Sequence, residues 1–345
     1  MILYQGKRYE NSEQARLLAE LPTQCYHTLV HAPSLTPNQV IEACDQLVQQ
    51  VRSGHYDSII LPLLQTHGLS ETDLQRHLAM MTRDALEQKL EVELGSPSLE
   101  LSPLPSGTKR AYAPLGILLH IAAGNVEVLP AYSVIEGLLT GNINLLKLPR
   151  GDQGLSILLL EALLRFEPLL QEYVYVFDVP STDFTSLQQL ATLADGIIVW
   201  GSDEAVQATR SLAPINSTII EWGHKLSFAY ASSDASDDML YSFAHHIAST
   251  NQLLCSSAQG IYVDTDSREE LDQFAARFFP ILQIVATAYP PIPIGIRGQH
   301  AIQRRYEELE AYQSGKKLWA APEVSVMTSE DSKLELSWLY RHVWI

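Results

Sequence analysis

The strongest constraint on the fold of this chain is a repeated alternation of continuous apolar runs with helical segments from Gly116 onward. Gly116–Ala123 (GILLHIAA), Asn144–Leu148, Tyr173–Val179 and Gly196–Trp200 read as strands. They are apolar throughout rather than alternating, the pattern of strands covered on both faces. An apolar helix ending at Leu139, a second over Leu155–Leu164, a third near Asp183–Leu193 and a fourth opened by Ser202 separate or follow them. Strand and helix at this spacing predict βαβ units, and so an α/β fold on a doubly wound parallel sheet. Such sheets bind ligands outside the carboxyl ends of their strands, so the loops after the strands are where chemistry is sought.

The flanks read differently. Residues 1–10 alternate around Gly6 as a small hairpin would. From Thr36 to about Gly95 the pattern is helical, with Pro37 at a helix start. Ser70 and Asp73 make a capping-box-like opening to one long segment that ends at Gly95. Leu74, Leu78, Met81, Ala85 and Leu86 recur there at helical spacing and are expected in the core. The Pro/Ser-rich stretch 96–109 reads as a linker, and Tyr289–Gly298 (YPPIPIGIRG) as a loop. A chain of 345 residues exceeds what one compact domain usually holds, so two lobes are expected.

Composition narrows the function classes. A formal charge of -17, from 40 acidic and 23 basic residues, repels phosphate backbones and argues against nucleic-acid binding. Three cysteines, Cys25, Cys44 and Cys255, are too few and too odd for a disulfide framework and point to a reducing compartment. The opening MILYQGKRYENSEQARLL lacks a secretory pattern, and no apolar run is long enough to span a membrane, so a soluble cytoplasmic protein is expected. His245 and His246 are adjacent, face different directions on a helix, and cannot share a metal as an i, i+4 pair could. No metal site is expected.

Five short motifs could carry chemistry, although the dinucleotide fingerprint G-x-G-x-x-G is absent. In HIAAGNVEVLP a strand ends at Gly124-Asn125, where the Asn amide can face a developing oxyanion or simply cap the next helix. In TGNINLLKLPRG, Lys147 ends a strand and Arg150 follows, a pair of cations able to hold ribose and phosphate oxygens or to lie solvated. In GIIVWGSDEAV, Gly201-Ser202 joins a strand to a helix N-terminus, where free N–H groups suit a pyrophosphate and Ser202 suits an N-cap. In EWGHKLSF, Glu221 stands beside Gly223 and Lys225 and could serve as a base if desolvation raised its pKa. In STNQLLCSSAQGIYV, Cys255 sits at a helix-to-strand turn among polar neighbours, whereas Cys44 lies in a helical apolar stripe.

Taken in order, these motifs resemble the aldehyde dehydrogenase superfamily, and AGNV, GLLTGN, VWGSDEA, KLSFA and NQLLCSS are most similar to the LuxC-type acyl-CoA reductases. The resemblance covers roughly residues 111–265. It implies an aldehyde-dehydrogenase-like fold: a mostly helical segment 1–110 packed on an NADP(H)-binding domain 111–225, then a catalytic α/β domain 226–345. Relatives normally continue with further catalytic strands and an oligomerisation segment, so that last domain is expected to be short or truncated. Two departures are visible: His224 replaces the second glycine before the Lys of the oxidative enzymes, and Lys147 is followed by Leu148 rather than Pro.

The resemblance also implies a mechanism. Cys255 attacks an acyl thioester, from acyl-CoA or acyl-protein, and the Asn125 amide and the Cys255 N–H hold the oxyanion. Hydride then converts the acyl-cysteine to an aldehyde, and Glu221 aligns with the family's general base. Lys147 is placed at the adenosine ribose and Gly201, Ser202 and Gly223 around the cofactor. Arg150 stands where NAD-preferring relatives often carry a Glu, so NADPH is expected over NADH. Acyl-transferring or acyl-activating partner subunits and a homo-oligomer follow from the same resemblance. Two rivals are an aldehyde dehydrogenase working oxidatively with water and a non-catalytic, partner-dependent subunit of the same fold.

Overall fold

A computed structural model describes residues 1–67, 71–95, 99, 101–104, 106–122, 128–150, 152, 154–223, 225–314, 316–333 and 336–345. The chain divides into two compact units, Met1–Gly223 and His224–Ile345, each with a hydrophobic core of its own. The expected helical segment 1–110 and most of the expected cofactor segment therefore share one unit.

The first unit opens with the expected hairpin, β1 (Ile2–Tyr4) and β2 (Lys7–Tyr9), turned by left-handed Gln5 and Gly6. Helices α1 (Gln14–His31), α2 (Pro37–Arg52), α3 (Asp57–His67), α4 (Glu71–Ala79) and α5 (Arg83–Leu94) follow. The α2 start carries a full capping box: Thr36 Oγ1 accepts from the Gln39 N–H and the Gln39 side chain accepts from the Thr36 N–H.

The single segment expected up to Gly95 is two helices. Thr82 adopts extended torsions and donates its hydroxyl to the Ala79 carbonyl, so the first helix is closed before the second begins. At the break Met81 is buried, as expected, while its neighbour Met80 is exposed. Ser70, the expected opening, lies outside the described residues. Within the expected linker, β3 (Ser102–Pro103) pairs antiparallel with β4 (Lys109–Arg110).

The alternating region folds as read: β5 (Ile117–Ile121), α6 (Leu129–Leu139), β6 (Ile143–Lys147), α7 (Leu155–Phe166), β7 (Val174–Phe177), α8 (Phe184–Leu193), β8 (Gly196–Trp200), α9 (Asp203–Leu212) and β9 (Thr218–Trp222). The sheet order is β2-β1-β7-β6-β5-β8-β9, parallel from β7 to β9. Helix α6 packs on α7 and α8 on α9, as right-handed crossovers winding to opposite sides of β5 require. Helix α2 covers α6 and α7, and α1 covers α8.

A polar chain crosses this apolar core. Asn144 donates its amide to the Asn142 carbonyl (2.7 Å), so its Oδ1 accepts from His120 Nε2 (2.9 Å). His120 Nδ1 must then accept from the Ser133 hydroxyl (2.8 Å), whose oxygen accepts from Trp200 Nε1 (3.1 Å). Every donor has one direction, and His120 is neutral. Burial pushes its pKa down to about 4. Gly137 makes room for Asn144, because a Cβ there would lie 1.9 Å from Asn144 Oδ1.

The second unit contains β10 (Ser227–Ser232), α10 (Asp237–Thr250), β11 (Ala258–Asp264), α11 (Arg268–Ala286), α12 (Ile294–Ser314), β12 (Lys317–Ala320), β13 (Ser325–Thr328) and β14 (His342–Trp344). Its sheet runs β10-β11-β14-β13-β12, parallel except for the β12–β13 pair. Phe274, Phe278 and Leu282 of α11 and Ile247 of α10 fill its core. The expected loop Tyr289–Gly298 is helical from Ile294. The Arg297 N–H bonds the Pro293 carbonyl (3.0 Å) and its guanidinium the Glu323 carboxylate (2.7 Å), which anchors a first turn that its glycines disfavour. Among the described residues no helix is long and apolar enough to cross a membrane.

Candidate functional site

The parallel sheet reverses its strand order between β5 and β8, and the crevice outside the carboxyl ends at such a point is where open α/β sheets take ligands. Lys147 is the last residue of β6; Gly201 and Ser202 follow β8; Gly223 follows β9. Four of the sequence-derived cofactor residues therefore share one edge of one sheet. Asn125, between β5 and α6 in sequence, lies outside the described residues.

Lys147 is 6% exposed, and its ammonium donates to Ser181 Oγ at 3.2 Å. Burial lowers its pKa below the ordinary lysine range, against the opposing pull of Asp178. Among the described residues Ser181 is the one hydrogen-bond partner of this ammonium, which leaves it donors for an oxygen-rich ligand at the sheet edge. Arg150 is exposed three residues on. At Gly201 a Cβ would come within 2.9 Å of the Ala205 Cβ, so glycine is what lets α9 start this close to its strand. Ser202 caps α9, its Oγ accepting from the Ala205 N–H at 3.4 Å. Asp203 and Glu204 occupy the first turn of that helix and complement its dipole, so its N-terminus attracts an anionic ligand less than an uncharged first turn would.

Glu221 does not meet the condition set for a base. Both of its oxygens are held by the Arg210 guanidinium, one at 2.7 Å, and that bond lowers the carboxyl pKa instead of raising it. Beside it, Trp222 stacks on Trp200 with ring centroids 4.9 Å apart and planes 9° from parallel.

The thiol lies in the second unit. Cys255 is exposed in the turn between α10 and β11, whereas Cys25 and Cys44 are buried. Burial pushes the Cys25 thiol up to about 12 and Cys44 higher still, which removes both as thiolates near neutral pH. The Cys255 carbonyl accepts from Ser227 Oγ at 2.7 Å, and His246 Nε2 approaches the Ser256 carbonyl at 3.3 Å. Among the described residues the Cys255 N–H has no protein acceptor. His245 bonds instead to the Tyr289 hydroxyl at 3.0 Å, so the two histidines serve different neighbours. Among the described residues no group of three or more potential ligands could hold a metal.

Sequence reasoning missed several residues here. Arg210 is one, on a different element from its partner Glu221. The path from Trp200 through Ser133 and His120 to Asn144 is another. A signal for that path was present, since His120 interrupts an otherwise apolar strand.

Residues 31–345 match the family model described as acyl-CoA reductase (LuxC). The long-chain acyl-protein thioester reductase of Vibrio harveyi is 26% identical over 199 residues, covering 56% of this chain and 42% of that protein. The enzyme of the same name from Photobacterium phosphoreum is 27% identical over 249 residues, covering 68% of this chain and 51% of that protein. The chain thus spans about half the length of these curated relatives. Among solved structures, an NAD-dependent benzaldehyde dehydrogenase from Corynebacterium glutamicum superposes with a TM-score of 0.65 at 14% identity, over 97% of this chain and 75% of that one. Lactaldehyde dehydrogenase from Escherichia coli gives 0.63 at 16% identity, over 97% and 74%. These likenesses establish an aldehyde-dehydrogenase-like fold.

Proposed function

We propose that this chain, which belongs to the acyl-CoA reductase (LuxC) family, reduces a long-chain acyl thioester to a fatty aldehyde through an acyl-cysteine on Cys255. The observation that carries the reading is the contrast among the thiols: of the three, only Cys255 is exposed, on a turn whose N–H has no acceptor among the described residues. The acyl donor is an acyl-protein or acyl-CoA, delivered by an acyl-transferring or acyl-activating partner.

The Cys255 thiolate adds to the thioester carbonyl, the donor's thiolate departs with the bonding pair, and a new thioester joins the acyl group to the protein. The Cys255 N–H and the Asn125 amide hold the oxyanion of the addition step. Removal of one such donor typically costs about 3 kcal/mol of transition-state stabilisation. NADPH, when bound, supplies the hydride for reduction. The chain's part in holding it falls to the buried Lys147 at the ribose, exposed Arg150 at the 2′-phosphate, and the close approach allowed by Gly201, Ser202 and Gly223. Glu221, neutralised by Arg210, is a poor activator of water. This favours acyl reduction over the oxidative reading, because an acyl-cysteine awaiting hydride must be kept from hydrolysis.

Cofactor oxidation with hexadecanoyl-CoA tests the reading. NADPH consumption with aldehyde release is expected, and Arg150→Glu is expected to reverse the preference towards NADH. If acyl-CoA is not reduced while aldehyde is oxidised, the oxidative reading replaces this one. Equal affinity for NADPH and NADH removes Arg150 from the site.

A further inference from the structure

The turn that presents Cys255 is fastened at its upstream end to a strained segment from a distant part of the chain. Six described non-glycine residues have positive φ; apart from Gln5 they are Asn251, Gln252, Leu339, Tyr340 and Arg341. L-residues adopt this conformation at a steric cost that surrounding contacts must meet. The two stretches bind one another: the Tyr340 N–H donates to the Asn251 carbonyl at 2.8 Å, and Arg341 Nε to Asn251 Oδ1 at 2.9 Å. Across the turn, the Gln252 amide donates to the Ala258 carbonyl at 3.0 Å, and downstream of the thiol Gln259 Oε1 accepts from the Ser337 N–H at 3.1 Å. Both ends of the Cys255 turn are therefore tied to residues 337–341.

Arg341 is the centre of this arrangement. It is 1% exposed, and its guanidinium also donates to the Pro290 carbonyl at 2.7 Å. Its carboxylate partner, Glu323, is 3.7 Å away and is shared with Arg297. A buried cation bound chiefly by neutral oxygens is a poor source of stability, since desolvation offsets what the contacts return. Three consecutive left-handed residues end at it, so the segment is costly in backbone terms as well. What the arrangement does provide is a fixed position for Asn251, four residues before the thiol and directly after α10.

We propose that Arg341 is a positioning residue which, through Asn251, holds the Cys255 turn in the conformation that reacts with acyl thioesters. The proposal rests on the reading of Cys255 as the acyl-carrying thiol. Arg341→Met removes the cation but risks misfolding. Asn251→Gly is the cleaner probe, because glycine keeps the left-handed backbone while removing the side chain that carries the Oδ1 acceptor. Asn251→Asp restores an acceptor for the guanidinium.

The full chain is incubated with radiolabelled hexadecanoyl-CoA, and label on the Cys255 peptide is followed with time, alongside the NADPH dissociation constant and the urea midpoint. Asn251→Gly is expected to slow acylation on the order of tenfold to a hundredfold, as small displacements of a reacting group do. NADPH affinity should stay close to that of the parent, the urea midpoint should fall by no more than the loss of one hydrogen bond to a buried guanidinium accounts for, and Asn251→Asp should recover most of the rate. Parent-like acylation in Asn251→Gly, or equal losses in the Gly and Asp variants, overturns the positioning role while leaving the thiol reading intact. A parent protein that takes up no label at Cys255 overturns both.

Discussion

His120 shows how much a single side chain can reveal at the residue scale. It is enclosed in the core, neutral, and bonded on both ring nitrogens, with a pKa pushed down to about 4 against an ordinary value of 6.5. The unfolded chain binds a proton at higher pH than the folded one does. Stability is therefore complete above pH 6.5 and is lost as pH falls towards 4, by about 3 kcal/mol across that window from this group alone. Urea midpoints measured at pH 7 and pH 4.5 are expected to show this loss, with a smaller acid dependence in His120→Gln. An equal acid dependence in the two proteins would assign the effect to other groups. The polar residue was legible in GILLHIAA, but its partners were not, because Ser133, Asn144 and Trp200 come from α6, β6 and β8 and meet only once the sheet is assembled. The same limit hid the partner of Glu221: a carboxylate beside a glycine turn reads as a candidate base until Arg210 is seen to hold it.

Elements were easier to read than contacts. The strands and helices between Gly116 and Leu212 follow from apolar runs of fixed length, which depend on local composition and burial. Gly196–Trp200 and the Ser202 cap were placed as they occur. Where local signals competed, the reading was coarser. The helical pattern before Gly95 continues across Met80–Thr82, yet Thr82 closes α4 with its own hydroxyl. The proline-rich stretch before α12 concealed a helix start held by Arg297 and Glu323. Ser202 allows a test at this scale, as cap and candidate cofactor neighbour. Ser202→Ala should cost about 1 kcal/mol of stability and Ser202→Gly a few tenths. If the hydroxyl also faces the pyrophosphate, both variants should weaken NADPH binding alike, as isothermal titration would show; unchanged affinity in both confines Ser202 to capping.

At the scale of the whole molecule, two cores imply two cooperative bodies. Residues 1–223 carry the complete parallel sheet with helices on both faces, and Lys147, Gly201 and Ser202 lie on its carboxyl edge. Expressed alone, this unit is expected to unfold in urea in one transition and to bind NADPH; a fragment without cooperative unfolding would show that its core depends on residues beyond 223. The second unit was legible only in part, since the ties between Asn251 and Arg341 join residues far apart in sequence and no local pattern announces them. The central claim concerns the thiol that unit carries. Peptide mass spectrometry of the full chain after incubation with hexadecanoyl-CoA, without cofactor, tests it most directly. The account predicts one hexadecanoyl group on Cys255, released as hexadecanal once NADPH is added and absent from Cys255→Ala. An acyl group retained in Cys255→Ala, or none on Cys255 in the parent protein, would contradict it.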